Sequence, residues 1–161
     1  MKIYCSGIGG IGLSAYAALQ SAKGHEVLGS DRELTPLTQD LEGQGIRVFD
    51  VQDGFCIPDD IDLLVYSEAI PEDAPERVRA KELGVLQQSY FEALGNLGSE
   101  FKTVIAVCGT HGKSTTTAMA AKLLVDAGLD PTVVVGTKVP QLDGRNWRKG
   151  SGELFLVEAC E

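Results

Sequence analysis

The run from Thr103 to Thr117 leaves few folds open to the chain. Thr103 to Cys108 is apolar, rich in β-branched residues and of strand length. Gly109 and Gly112 follow, and glycine lets a backbone reverse and come close to a ligand. From Thr115 to Ala127 the residues predict a helix. Strand, tight loop and helix in this order aim several backbone N–H groups at one point, which suits a polyphosphate. Lys113 is then placed to reach the outer phosphates, and the Ser114 hydroxyl to hold Mg²⁺. The strict pattern G-x-x-x-x-G-K-[ST] asks for glycine where this chain has Val107, so only its second half, Gly109 to Ser114, is met. A glycine-rich turn with a solvated lysine is the plainer alternative.

A second glycine loop lies near the start. Ile3 to Ser6 predicts a strand, and Gly7, Ile8, Gly9, Gly10, Ile11 and Gly12 fit G-x-G-x-x-G. A helix over Leu13 to Lys23 carries the small residues Ser14, Ala15, Ala17 and Ala18, and Gly24 stops it. The next strand, Glu26 to Gly29, ends in Ser30 and Asp31. An acid about twenty residues past such a loop is the usual ribose-contacting position of a dinucleotide-binding unit. The alternative is a tight turn that holds nothing.

Strand and helix go on alternating. A helix is expected over Thr35 to Gly43, strands over Ile46 to Phe49 and Asp62 to Ser67, and a helix over Pro75 to Leu83. A short strand, Val85 to Gln87, and a helix, Ser89 to Leu97, with a Ser89/Glu92 capping box complete the series. The fold class expected is α/β: a Rossmann-like doubly wound parallel sheet over residues 1–98, then the start of a P-loop α/β domain over 102–161. Ser67 and Glu68 leave the fourth strand at the carboxyl edge of the sheet, where ligands of such sheets bind. Beyond the phosphate loop, a strand over Thr132 to Val135 is expected to end at Gly136. Val139 to Ser151 reads as a surface loop, with Lys138, Arg145, Arg148 and Lys149 on a solvated face. The last strand begins at Glu153 and brings Glu158 and Glu161 forward as acids to share Mg²⁺ with Ser114. About sixty residues from Lys102 onward are few for a stable phosphate-binding domain, so the chain is expected to be the front part of a longer protein.

A formal net charge of −9 argues against nucleic acid or an anionic membrane surface as partner. A nucleotide must therefore be held locally, by loops and helix ends. No run approaches the length of a membrane span, and the first residues lack the long apolar core of a signal peptide. Cys5, Cys56, Cys108 and Cys160 form no C-x-x-C pair, which suits reduced thiols in a cytoplasmic protein. Cys108 and Cys160 are expected at strand ends. Oligomeric state is not legible.

Together these stretches resemble the Mur ligase family, ATP-dependent enzymes of bacterial cell-wall precursor synthesis. The resemblance lies in Gly7 to Ser14, Gly29 to Asp31, Val65 to Pro71, Gly109 to Thr117 and Val157 to Glu161. Family members commonly carry an apolar residue at the position of Val107. His111 is the form seen in the alanine-adding branch and in a related tripeptide-recycling ligase; Ser114 stands where threonine is usual in that branch. The resemblance implies a ligase that joins the carboxylate of UDP-N-acetylmuramate to the amine of L-alanine through an acyl phosphate. It implies that Gly109, Thr110, His111, Gly112, Lys113, Ser114 and Thr115 bind ATP, with Lys113 and His111 nearest the chemistry and Mg²⁺ on Ser114 and Glu158. The UDP moiety would lie on Gly7, Ile8, Gly9, Gly10, Ile11 and Gly12, with Ser30, Asp31 and Ser67 near base or ribose. The family's C-terminal domain is missing from these 161 residues, so no catalysis is expected of them alone. Three other readings stay open: the tripeptide-recycling ligase, an NAD-dependent oxidoreductase built on the first loop, and a non-catalytic nucleotide-binding module.

Overall fold

The computed structural model describes residues 1–159, so Glu161 and Cys160, the second acid candidate and one strand-end cysteine, lie outside the described residues. The chain divides into two compact units, the first Met1–Leu94 and the second from Gly95 onward.

In the first unit, β1 (Lys2–Ser6), β2 (Glu26–Ser30), β3 (Arg47–Phe49), β4 (Leu63–Tyr66) and β5 (Leu86–Ser89) form one sheet in the order β3-β2-β1-β4-β5. Every pairing in it is parallel. The sheet therefore grows outward from β1 in both directions, and the strand order reverses between β1 and β4. A crevice opens at such a point, beyond the carboxyl ends of the strands. β1 is buried from Ile3 to Ser6 and β4 from Leu63 to Val65, as central parallel strands require.

The helix after the first glycine loop, α1 (Ile11–Ala22), is buried continuously from Leu13 to Gln20. Alanine at 15, 17 and 18 lets it lie close to its neighbours. α2 (Pro36–Gly43) starts on Thr35, whose side chain accepts from the Leu37 N–H at 3.2 Å, while Thr38 Oγ1 accepts from the Thr35 N–H at 2.9 Å. α3 (Pro75–Glu82) returns the chain to β5. α4 (Tyr90–Gly98) begins with the expected box: Ser89 N–H donates to Glu92 Oε2 at 2.8 Å and Glu92 N–H to Ser89 Oγ at 3.2 Å. Tyr4, Leu28, Ile57, Ile61, Leu64 and Ala80 make one core cluster of this unit.

The second unit is a four-stranded sheet in the order β6-β9-β7-β8. β6 (Thr103–Val107), β9 (Leu154–Glu158) and β7 (Thr132–Val139) run parallel, and β8 (Arg145–Arg148) is antiparallel to β7. α5 (Lys113–Asp126) follows the phosphate loop. Its Ala121 packs with Val133, Val135, Val139, Leu142 and Leu156 of the sheet and the turn after β7.

Two expectations change here. β7 does not end at Gly136 but runs on to Val139. Its pairing with β8 shifts register between Val134 and Val139, an irregularity that carries the strand past the glycine. The residues expected to form a surface loop instead hold a short 3₁₀ turn, Pro140–Leu142, and β8. Asn146 and Trp147 are buried, and Arg148 is no solvated cation: it donates to the Pro131 carbonyl at 2.7 Å and pairs with Asp130.

Candidate functional site

The first glycine loop leaves β1 at Gly7, whose φ of 81° lies in the region that favours glycine. The N–H groups of Gly7 and Ile8 both donate to the Ser30 carbonyl, at 2.8 and 2.9 Å. Gly10 N–H closes a turn onto the Gly7 carbonyl at 3.2 Å, and Ser14 N–H makes an early bond of α1 to the Gly10 carbonyl at 2.8 Å. No side chain caps the start of α1. Asp31, at the end of β2, reaches the loop: its Oδ2 accepts the Gly9 N–H at 2.8 Å and its Oδ1 the Glu33 N–H at 3.1 Å. Gly9 has no room for a side chain, because a Cβ there would stand 2.8 Å from Asp31 Oδ2. Ser67 lies on the loop's other flank; a Cβ on Gly7 would meet its Cβ at 2.9 Å. Ile8 is buried, whereas Gly10 and Ile11 are exposed. Ser30 is fully buried, and its hydroxyl is turned to Glu76 at 2.6 Å. It touches the loop through its carbonyl.

The second loop follows β6. Gly112 has φ 76° and stands as N-cap of α5, with no side-chain cap. The first N–H groups of a helix have no intrahelical acceptor, and here they begin with those of Lys113, Ser114 and Thr115. The Lys113 ammonium folds back onto the Gly109 carbonyl at 2.7 Å, over its own loop. Gly109, Thr110 and His111 are exposed. Thr117, one turn into α5, is buried and anchors the helix start through Oγ1 to the Lys113 carbonyl at 2.8 Å.

Glu158 stands at the end of β9, opposite Val107 in the β6–β9 register, and is nearly buried. Its Oε1 accepts the Ser114 hydroxyl at 2.9 Å, and its Oε2 accepts the Gly136 N–H at 2.7 Å. The phosphate-loop hydroxyl and the strand-end acid, 44 residues apart, are thus brought into contact. Among the described residues no three His, Cys, Asp or Glu side chains gather into a denser metal cage. A sparse pair of oxygen donors suits Mg²⁺, which keeps water and phosphate oxygens as most of its ligands.

Two participants escaped the sequence reading. Gly136 was expected only to stop a strand, yet its N–H orients Glu158. Glu76 was expected only on a charged helix, yet it is buried among hydroxyls. An interior glycine in an apolar strand is a weak signal of close approach; nothing in the sequence around Glu76 signals its partners.

Residues 2–102 match the family described as "Mur ligase family, catalytic domain". The match covers the glycine-loop unit and ends before β6. Relatives extend it over the phosphate loop. The chain is 46% identical, over 99% of its length, to UDP-N-acetylmuramate–L-alanine ligase of Caldicellulosiruptor saccharolyticus. It spans about 35% of the length of that relative. Among solved structures, UDP-N-acetylmuramate-alanine ligase MurC of Thermotoga maritima superposes with a TM-score of 0.90 at 37% identity, covering 98% of this chain and 37% of that one. The UDP-N-acetylmuramate:L-alanyl-gamma-D-glutamyl-meso-diaminopimelate ligase of Neisseria meningitides superposes with a TM-score of 0.87 at 29% identity, covering 98% of this chain and 52% of that one. A family match over most of the chain, on a fold that both solved ligases share, leaves one conclusion: the chain belongs to the Mur ligase family.

Proposed function

We propose that this chain carries the UDP-sugar cradle and the ATP-phosphate cradle of a ligase that adds L-alanine to UDP-N-acetylmuramate. The observation that carries the reading is the Ser114–Glu158 contact at the mouth of a glycine loop, in a chain 46% identical to an enzyme of that name. In this reading residues 1–98 hold the UDP moiety on Gly7 to Gly12, with Asp31 and Ser67 flanking it. Residues 102–161 form the first part of the ATP-binding domain.

The reaction requires a carboxylate to become a competent acyl donor. Transfer of the γ-phosphoryl group of ATP to the muramate carboxylate gives an acyl phosphate; the amine of L-alanine attacks its carbonyl and phosphate leaves. Positioning and charge neutralisation carry such a step. The N–H groups at the start of α5 hold phosphate oxygens. Lys113 exchanges the Gly109 carbonyl for the β/γ oxygens. Ser114 and Glu158 would hold Mg²⁺, which when bound would supply charge neutralisation at the phosphates. His111, exposed on the loop, is open to the transferring phosphate or the acceptor carboxylate. In this reading the setting is the cytoplasm.

Titration of the 161-residue chain decides between readings. Binding of UDP-N-acetylmuramate and, separately, of ATP in a Mg²⁺-dependent manner is expected. Binding of NADH with no response to the UDP-sugar would refute the proposal in favour of an oxidoreductase. The tripeptide-recycling ligase stays the second reading, because the Neisseria ligase shares the fold at a TM-score of 0.87. Alanine-dependent ADP release by a protein carrying the full relative length separates the two.

A further inference from the structure

We infer that Glu76 is the positioning residue of the first glycine loop. The inference rests on the reading of that loop as the cradle of a uridine diphosphate sugar. Glu76 lies in the first turn of α3 and is 1% exposed. Its Oε1 accepts the Tyr4 hydroxyl at 2.7 Å and the Ser30 hydroxyl at 2.6 Å, and its Oε2 accepts the Ser6 hydroxyl. Tyr4 and Ser6 belong to β1 and Ser30 to β2, and Ser6 and Ser30 are register partners. One carboxylate therefore clasps the carboxyl ends of two central strands from a helix far along the chain. Burial, and then the charge of Glu76, hold the Tyr4 phenol above its ordinary range, so Tyr4 stays a donor.

Those strand ends carry the loop. Ser6 is the residue before Gly7, and its carbonyl accepts the Ser67 N–H at 3.0 Å. Ser30 is the residue before Asp31, and its carbonyl accepts the Gly7 and Ile8 N–H groups. The bonds that tie Gly7 and Ile8 to β2, and Ser67 to β1, thus end on two serines whose side chains meet on Glu76. A stable interior alone does not ask for this arrangement. An apolar residue at 76 would bury without desolvating a charge, whereas a carboxylate has to be surrounded by donors. Three hydroxyls collected on one acid fix directions, and the directions fixed are those of the backbone that turns into the loop. Truncation would orphan three buried hydroxyls at the site where the ligand is held.

The test compares the 161-residue chain with E76A and E76Q. UDP-N-acetylmuramate affinity is measured by calorimetry, ATP affinity in Mg²⁺ serves as internal control, and amide exchange is followed at Gly7 and Ile8. E76A is expected to weaken UDP-sugar binding at least about tenfold and to speed exchange at Gly7 and Ile8 by a similar factor, with ATP affinity unchanged. E76Q keeps an oxygen for Tyr4 and Ser30 and is expected to recover most of both. If E76A only lowers the melting temperature, with Gly7 and Ile8 exchange and UDP-sugar affinity as in the parent, the residue is structural and the inference is overturned. If the parent binds no UDP-sugar, the functional reading falls, and the exchange data still decide whether Glu76 positions the loop. Should E76A not fold, S30A, which removes one donor and keeps the carbonyl, is read by the same two outcomes.

Discussion

A methyl group placed on Gly136 should act on Glu158, the acid proposed to hold Mg²⁺, and on little else. Gly136 lies in β7 outside the positive-φ region, so its backbone accepts alanine. The new Cβ would stand 3.0 Å from Glu158 Oε2, 3.1 Å from Cδ and 3.2 Å from Oε1. Such contacts are a few tenths of an ångström too short, and the carboxylate is the group that can move. Moving it stretches the 2.7 Å bond from the Gly136 N–H and shifts Oε1 from the Ser114 hydroxyl. A hydrogen bond to a charged group is worth about 1.5–3 kcal/mol, so losing a third to a half of one costs about 1 kcal/mol. That corresponds to roughly a fivefold loss in affinity. The assay is a titration of ATP complexes with Mn²⁺ standing in for Mg²⁺, read by electron paramagnetic resonance. G136A should weaken the metal-dependent part of ATP binding about fivefold and leave metal-free ATP binding alone. An unchanged metal titration, with the variant folded, would refute the claim that Gly136 holds Glu158 for the cation.

Other outcomes follow from the same geometry. K113A removes the ammonium that lies over the glycine loop and should cost about 2 kcal/mol of ATP affinity, about thirtyfold, without touching UDP-sugar binding; calorimetry with each ligand checks it. Asp130 accepts from Ser151 and Arg148, and these bonds hold its carboxyl below the usual carboxylate range. A depressed carboxylate adds stability above its unfolded value of about 3.9 and loses it as pH falls toward the folded value. D130N should therefore melt lower than the parent at pH 6, and the gap should narrow as pH falls below about 4, as measured by calorimetry across pH. Burial pushes the Cys5 thiol up to about 12, whereas Cys108 is exposed. Alkylation at pH 8 followed by peptide mapping should label Cys108 in the folded chain and Cys5 only after unfolding.

Much of the fold was legible because local chemistry and global topology agree. Gly24 ends a helix, Thr35 and Ser89 begin two, and apolar runs alternate with helical ones, so the parallel sheet of the first unit follows. Ser114 and Glu158 were legible as partners because a phosphate loop and a strand-end acid are a recurrent pair. What was missed depends on contacts distant in sequence. Glu76 finds its donors 46, 70 and 72 residues away, and no periodicity encodes that. Ser30 was expected near the ligand, but its side chain points into the protein and its carbonyl faces the loop. Gly136 read as a terminator because glycine packs no side chain in a strand. Its N–H in fact meets the Glu158 carboxylate on β9, and the strand runs on to Val139. β8 was hidden because Arg145 and Arg148 look solvated, and the burial of Asn146 and Trp147 between them appears only once β7 is long enough to pair with it.

The strand that launches the phosphate loop has an open flank. Among the described residues β6 pairs with β9 alone, and Val104 and Ile105 are exposed. Thr103 N–H points to β9, bonding the Glu153 carbonyl at 3.2 Å, so by alternation the amides of Val104 and Ala106 point the other way. The launching platform of the loop is therefore braced from one side only. A nucleotide seated beyond Val107 would tighten that platform as well as the loop, and the outward amides would slow their exchange with solvent even though no ligand atom reaches them.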